Sequence, residues 1–172
     1  MEAFLFCCTQ SYGIIGSMIK PGEKFPRIQG RAYDGIAIDT ERFFGEKPFV
    51  AYFYPKDGSS GCTLQAQDFT NIFYEFDRLG VALFGVSTDP LGSHEAFCMK
   101  YDITIPLLSD ERGDWARQLG ILDEHGMAKR TTFYVNIEGV IEKIWTNVNP
   151  VGHQKTVLEH VKEILHEEKF GA

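Results

Sequence analysis

Cysteine is the residue type with which this sequence is best equipped for chemistry. The 172-residue chain has four cysteines: Cys7, Cys8, Cys62 and Cys98. Four are too few for the disulfide scaffold of a small secreted domain, and no two of them form a C-x-x-C pair. His94 and Cys98 have the spacing of two metal ligands on one helix, but the sequence shows no second pair close by to complete a zinc site. We therefore expect thiol chemistry, with no metal and no bound organic cofactor.

Cys62 lies where backbone geometry can make a thiol reactive. Residues 49–54 form a continuous apolar run that favours a buried strand, and an apolar stripe at helical spacing includes Phe69. Cys62 therefore falls in the first turn of a helix, where unpaired N–H groups favour the thiolate, the reactive form of cysteine. Ser59 and its neighbouring glycines add a hydroxyl and a loop that can approach a small ligand closely. The alternative is that Cys62 is a small buried hydrophobic residue.

The spacing of apolar residues predicts an α/β protein. Besides the strand at 49–54 and the helix that ends at Gly80, the pattern predicts strands at 28–32, 36–38, 81–86, 131–137 and 140–145, and helices at about 90–101, 115–119 and 157–165. We expect a central mixed β-sheet with helices on both faces, in an order that suggests a thioredoxin-like fold. The pattern alone does not exclude another small α/β fold.

The composition limits the class of protein. The chain is 44% hydrophobic, has 14 phenylalanines and carries a net charge of −7, as an ordinary globular protein with an aromatic core would. The negative charge argues against nucleic acid as a partner. No apolar stretch reaches the roughly 18–20 residues of a membrane helix, so we expect no membrane association and a cytoplasmic location.

The first 17 residues differ from the rest of the chain. They are apolar, contain no Lys or Arg, and end before a second methionine, Met18. They lack the basic start and the long apolar stretch of a secretory signal. We expect an extension of uncertain, even non-native, status in front of a single domain formed by residues 18–172, with no catalytic role for Cys7 and Cys8. An organellar or membrane-proximal address is the alternative.

The sequence PKDGSSGC, from Pro55 to Cys62, resembles the active-site signature of peroxiredoxins. With its flanking residues it is similar to the Q-type subfamily, also called bacterioferritin comigratory proteins, and the resemblance extends over about residues 20–166. It implies a thioredoxin-like fold and a thiol peroxidase in which Cys62 is the peroxidatic nucleophile. Pro55 would shield the thiol, and Ser59 would hydrogen-bond the peroxide. The family's arginine beside the thiolate matches Arg130, whose guanidinium can stabilise the thiolate and hold a peroxide oxygen.

Three positions depart from the family pattern. Ser60 stands where many members have proline, and Gln65 stands where many have glutamate, which alters the polar network around the arginine. Gln67 occupies the position at which many Q-type members carry a second cysteine. A resolving cysteine in the same helix is therefore excluded.

Cys98, 36 positions after Cys62, matches a branch of the subfamily whose resolving cysteine lies on the helix after the second core strand. The resemblance implies that Cys98 condenses with a Cys62 sulfenic acid to an intramolecular disulfide, which thioredoxin or a similar dithiol reduces. Cysteines on separate helices are too far apart for a disulfide, so we expect local unwinding during turnover. An intramolecular disulfide requires no dimer, and we expect a monomer. The alternative for Cys98 is a packed core thiol.

Other functions compete with this interpretation. A redox-sensing module would form the same sulfenic acid and pass the oxidation to a partner protein. A disulfide oxidoreductase would need a cysteine where Ser59 stands, and a plain binding domain would leave the signature unexplained. Three histidines, His94, His125 and His153, are expected to be surface or helix-end residues without an acid–base role.

Overall fold

The computed structural model describes residues 17–171 of the chain. The predicted extension, with Cys7 and Cys8, lies outside these residues apart from Ser17. The strands are β1 (Gln29–Arg31), β2 (Ala37–Asp39), β3 (Phe49–Phe53), β4 (Ala82–Ser87), β5 (Leu107–Ser109), β6 (Thr131–Val135) and β7 (Ile141–Trp145), and the helices are α1 (Ser60–Arg78), α2 (Leu91–Tyr101), α3 (Asp114–Gln118) and α4 (His153–Phe170).

Five of the strands form one mixed sheet in the order β5-β4-β3-β6-β7. Strand β4 is parallel to both β3 and β5, whereas β6 is antiparallel to β3 and to β7. Strands β1 and β2 pair with each other in a separate antiparallel hairpin. The predicted α/β class and mixed central sheet are confirmed.

The central strand β3 is buried on both faces, which is why its sequence is continuously apolar rather than alternating. Successive side chains of a strand point to opposite faces, so Val50 and Tyr52 join the apolar core that also contains α1 and α4. Ala51 and Phe53 join the opposite core, which contains α3 and the β1–β2 hairpin. Helices therefore cover both faces of the sheet, as the sequence predicts.

A close approach between β3 and β4 fixes the core next to α1. Tyr52 is paired with Gly85, and the Tyr52 ring stacks on Phe69 of α1 with 4.7 Å between ring centroids. A Cβ atom at Gly85 would lie 2.6 Å from the Tyr52 ring and 2.7 Å from Leu107. Glycine is required there because any side chain would displace the ring. The Tyr52 ring thus packs between the sheet and α1.

Two elements differ from the prediction. Strand β5 has only three residues and follows Pro106, so it carries no periodicity that could reveal it; pairing with β4 makes it a strand. A short 3₁₀ helix at Thr40–Arg42 was also not predicted, and it begins where the Asp39 side chain accepts a hydrogen bond from the Glu41 amide. Neither difference changes the topology.

Candidate active site

Cys62 is the third residue of α1, directly beyond the loop that leaves the carboxyl end of β3. Ser59 caps the helix with an extended backbone, and its Oγ accepts a hydrogen bond of 3.4 Å from the Cys62 amide. The first intrahelical hydrogen bond runs from the Thr63 amide to the Ser59 carbonyl at 2.8 Å. The amides of Ser60 and Gly61 precede it, so they have no partner within the helix and give this end positive character.

Arg130 contacts the thiol directly. Strand β6 is antiparallel to β3 with Thr131 opposite Phe53, so the residue just before β6 lies at the end of β3 that leads to Cys62. The Arg130 Nη2 donates to Cys62 Sγ at 3.2 Å. Its Nη1 donates to Gln65 Oε1 at 2.6 Å, one helical turn beyond the cysteine. The side-chain carbonyl of Gln65 thus holds one nitrogen of the Arg130 guanidinium, while the other nitrogen faces the sulfur of Cys62.

Gly61 makes room for this contact. A Cβ atom at Gly61 would lie 3.2 Å from Arg130 Nη2 and 3.3 Å from Pro150 Cγ. Both distances are tighter than ordinary carbon contacts, so a larger residue would press the guanidinium away from Cys62. The glycine before the cysteine therefore has a steric function.

The two other residues predicted from the signature, Ser59 and Pro55, lie in the loop between β3 and α1. Ser59 is exposed, and its hydroxyl donates to the Lys56 carbonyl at 3.3 Å while accepting from the Cys62 amide. Pro55 is half-buried at the start of the same loop, directly after buried Tyr54. Cys62 itself is 1% exposed, so its sulfur is largely screened from water.

Cys98 lies in α2, not at the N-terminus of α1 where Cys62 lies. It is buried and belongs to the same apolar core as Cys62, and neither cysteine is in a disulfide. Burial, with smaller contributions from the carboxylates of Asp57 and Asp34, raises the pKa of the Cys98 thiol to about 12. In this conformation Cys98 is therefore a protonated and unreactive thiol at neutral pH.

The prediction that His94 is a surface or helix-end residue is wrong. The ring is fully buried, and Nδ1 lies 2.8 Å from Asp57 Oδ2. Burial favours a higher pKa for Asp57, but hydrogen bonds from His94, Ser93 and Tyr54 and the charge of His94 outweigh it and hold the pKa below its usual range. The signature includes Asp57, but nothing in the sequence indicates that its partner lies 37 positions later.

His153 is at a helix end, as predicted, but it is buried rather than exposed. Its Nε2 lies 2.9 Å from Thr132 Oγ1, and its ring packs edge-on against Phe69. Burial and then the positive charge of Arg130 lower the pKa of His153 to about 4. His125 is exposed, in agreement with the prediction.

The shifted pKa of His153 predicts a loss of stability in weak acid. Below pH 6.5 the unfolded chain binds a proton at His153 that the folded chain does not bind until about pH 4. The free energy of unfolding should therefore fall by about 2 kcal/mol between pH 7 and pH 4.5 from this group. Urea denaturation at both pH values should show a smaller loss for His153→Gln than for the unchanged protein. An equal loss in both would contradict the prediction, and His125→Gln is the exposed control.

Residues 17–171 contain neither a candidate metal site nor a candidate membrane-spanning helix. No group of three or more His, Cys, Asp and Glu side chains in this part of the chain is placed to hold a metal ion. None of its helices is both long and apolar enough to cross a bilayer.

Comparison with known proteins gives a consistent family. Residues 21–144 match the AhpC/TSA family. Peroxiredoxin Bcp of Xanthomonas campestris is 37% identical over 120 residues, which cover 66% of this chain and 75% of that protein.

Solved structures agree with the sequence matches. A structure of Xanthomonas campestris peroxiredoxin Q has a TM-score of 0.75 and 30% identity, covering 88% of this chain and 99% of that one. Two single cysteine-to-serine variants of it match at 29% identity with TM-scores of 0.75 and 0.74, each covering 99% of its own chain.

A further structure concerns the alkyl peroxide reduction activity of the Xanthomonas campestris bacterioferritin comigratory protein, with a TM-score of 0.75 and 29% identity over 87% of this chain and 99% of that one. The thioredoxin-like fold predicted above is thereby confirmed. The signature around Cys62, the fold and these relatives agree, and the chain belongs to the AhpC/TSA family as a thiol peroxidase of the peroxiredoxin Q and bacterioferritin comigratory type.

Proposed function

We propose that Cys62 is the peroxidatic cysteine, assisted by Arg130 and Ser59, and that Cys98 resolves its sulfenic acid to an intramolecular disulfide. The observation that carries the proposal is the 3.2 Å contact between Arg130 Nη2 and Cys62 Sγ at the N-terminus of α1. A guanidinium and a helix N-terminus both favour a thiolate at that point. Pro55 limits access of water to the sulfur.

In the first step the Cys62 thiolate attacks one peroxide oxygen. An S–O bond forms, the O–O bond breaks, and the departing oxygen takes the electron pair and a proton to leave as water or an alcohol. Negative charge moves from sulfur to the leaving oxygen, so donors that face both atoms stabilise the transition state. Arg130 supplies fixed donors at the sulfur, and the Ser59 hydroxyl can turn from the Lys56 carbonyl toward the peroxide.

The substrates that we propose are hydrogen peroxide and organic hydroperoxides. The Xanthomonas protein is described as reducing alkyl peroxides, which supports the second class. The first, the smallest hydroperoxide, is supported by the burial of Cys62, which is 1% exposed.

In the second step the Cys98 thiol attacks the sulfenic sulfur, a disulfide forms, and water leaves. The two cysteines replaced in the Xanthomonas variants stand 36 positions apart in their chain, the same separation as Cys62 and Cys98 here. Because Cys98 is buried in α2 with a pKa of about 12, we propose that part of α2 or the first turn of α1 unwinds so that the sulfurs meet.

Recycling requires an external dithiol, and we propose thioredoxin or a similar protein, acting on a monomer. The peroxidase domain proposed here is residues 18–172, without a part for the preceding extension. The high pKa of Cys98 also supports a second candidate, a redox sensor whose sulfenic acid survives long enough to oxidise a partner protein.

Replacement of Cys98 separates these candidates. We expect Cys98→Ser to form no Cys62–Cys98 disulfide and to lose about tenfold or more of its thioredoxin-supported turnover, because a sulfenic acid without a resolving thiol is recycled slowly. Turnover is measured by peroxide consumption, and the linkage by peptide mass spectrometry without reductant after one equivalent of hydrogen peroxide.

All variants in this experiment carry Cys7→Ser and Cys8→Ser, so that no other thiol substitutes for Cys98. Full recycling of Cys98→Ser would overturn the role of Cys98. A chain that oxidises once and turns over slowly even with Cys98 present would support the sensor.

A further inference from the structure

A buried carboxylate–imidazole contact joins the loop that precedes Cys62 to the helix that carries Cys98. The loop contributes Asp57, five residues before Cys62, and α2 contributes His94, four residues before Cys98. Their side chains are 6% and 0% exposed, and His94 Nδ1 lies 2.8 Å from Asp57 Oδ2. We call Asp57 and His94 the loop–helix pair.

Both ring nitrogens of His94 face acceptors. Nδ1 faces the Asp57 carboxylate, and Nε2 lies 3.1 Å from the Leu108 carbonyl oxygen on β5. A neutral imidazole has one N–H, so it can donate to only one of these oxygens. A hydrogen bond from Nδ1 to Asp57 is charge-assisted and strong, because the acceptor is an ionised carboxylate with a lowered pKa.

The carboxylate of Asp57 is held from several sides. Ser93, also on α2, donates to Oδ2 at 2.7 Å, and the Tyr54 hydroxyl donates to Oδ1 at 2.7 Å. The Asp57 amide donates to Asp89 Oδ2 at 2.8 Å, which fixes the loop backbone. A fully satisfied buried network of this kind has one well-defined geometry, and the loop and α2 share it.

The pair also constrains Cys98. Residues four apart in a helix lie on the same face, so His94 and Cys98 are one turn apart on the side of α2 that is buried. Unwinding of α2 far enough to move Cys98 toward Cys62 would displace His94 and break both of its hydrogen bonds. Neither Asp57 nor His94 takes part in the two proposed chemical steps at sulfur.

We propose that the loop–helix pair positions the peroxidatic loop for the first step and restrains α2, so that the opening of α2 sets the rate at which Cys98 resolves the sulfenic acid. This proposal rests on the proposed function of Cys98. Asp57 and His94 are positioning residues, because they act through the loop and the helix rather than on the peroxide.

The test measures the two steps separately in Asp57→Asn, His94→Gln and the double variant. Reduced protein is mixed with hydrogen peroxide and quenched with acid at successive times, and mass spectrometry follows the Cys62 sulfenic acid and the Cys62–Cys98 disulfide. We expect disulfide formation to accelerate about tenfold, as loss of a charge-assisted hydrogen bond predicts, while the reaction with peroxide slows. The double variant should match the single variants, because both remove the same contact.

Amide hydrogen exchange of residues 91–101 is measured in the same variants and should be faster in each. Thr40→Ala is the matched control: it removes a buried hydroxyl that accepts from the Ile28 amide at 2.9 Å in the distant β1–β2 region. Thr40→Ala should lower the free energy of unfolding without accelerating formation of the Cys62–Cys98 disulfide. If Asp57→Asn or His94→Gln fails to fold, the double variant and Ser93→Ala are used instead. Ser93→Ala removes one contact between α2 and Asp57 without changing a charged side chain.

Unchanged or slower disulfide formation with unchanged exchange in α2 would overturn the proposal. Acceleration by Thr40→Ala equal to that by the pair variants would also overturn it, since general destabilisation would then explain the effect. Failure of the unchanged protein to form the Cys62–Cys98 disulfide would instead refute the resolving role, and hydrogen exchange would still decide whether the pair restrains α2.

Discussion

Cys62→Ser should lower the second-order rate constant for peroxide reduction by about five orders of magnitude or more. A serine hydroxyl stays protonated at neutral pH and is a weak nucleophile toward the O–O bond, even with Arg130 donating to it at the sulfur position. The rate constant is measured by competition with a peroxidase of known rate, so that no reductant protein limits it. The fold should persist, because serine fills nearly the same volume in the first turn of α1.

The matched control is Cys98→Ser. It makes the same exchange of sulfur for oxygen at a cysteine that takes no part in the first step. Its rate constant with peroxide should remain within about threefold of the unchanged protein, the usual range for substitutions that touch no reacting group. Equal losses in the two variants would mean that the site predicted from the signature is misassigned.

Replacement of Arg130 should produce the second large effect. Arg130→Met removes both the donor to Cys62 Sγ and the positive charge beside it, and the rate constant with hydrogen peroxide should fall about 10²–10³-fold, as for loss of one transition-state donor in other enzymes. Arg130→Lys keeps the charge but lacks the planar fork whose two nitrogens donate separately to Gln65 and Cys62. Its rate constant should therefore lie between those of the unchanged protein and Arg130→Met.

Lys129→Met is the control for Arg130, because the adjacent lysine is exposed and carries the same charge. It should leave the rate constant unchanged within about twofold, since exposed charges are screened by salt. A rate constant for Arg130→Met equal to that of Lys129→Met would remove Arg130 from the first step.

Much of the site can be predicted from local sequence, but contacts between residues far apart in the sequence cannot. The apolar run of β3 and the helical stripe through Phe69 are enough to place Cys62 in the first turn of α1. That Arg130 reaches the same point depends on the register of β6 against β3, and only the resemblance to a family indicates it beforehand. Gln65, noted as a departure from the family, is seen in the structure to hold the guanidinium.

His94 shows why the remaining part could not be predicted. In the sequence it is one polar residue in a helix with a weak apolar pattern, and such a residue is ordinarily exposed. It is buried because a carboxylate from a loop and a carbonyl from β5 converge on it. Both partners belong to elements whose position is set by the sheet, and β5 itself carries no signal in the sequence. Burial of a charged residue thus depends on partners that local patterns do not reveal.

The position of Cys98 inside the apolar core, beside Phe97, has a consequence for how this enzyme tolerates mutation. On the mechanism that we propose, Cys98 is the resolving thiol, and the enzyme therefore takes part of its core apart in every cycle. Tighter packing around α2 would raise the thermal stability of the fold but slow the opening of α2. The Cys62 sulfenic acid would then last longer and be exposed to further, irreversible oxidation. The proposed mechanism thus sets the thermal stability of the fold against the resistance of Cys62 to over-oxidation.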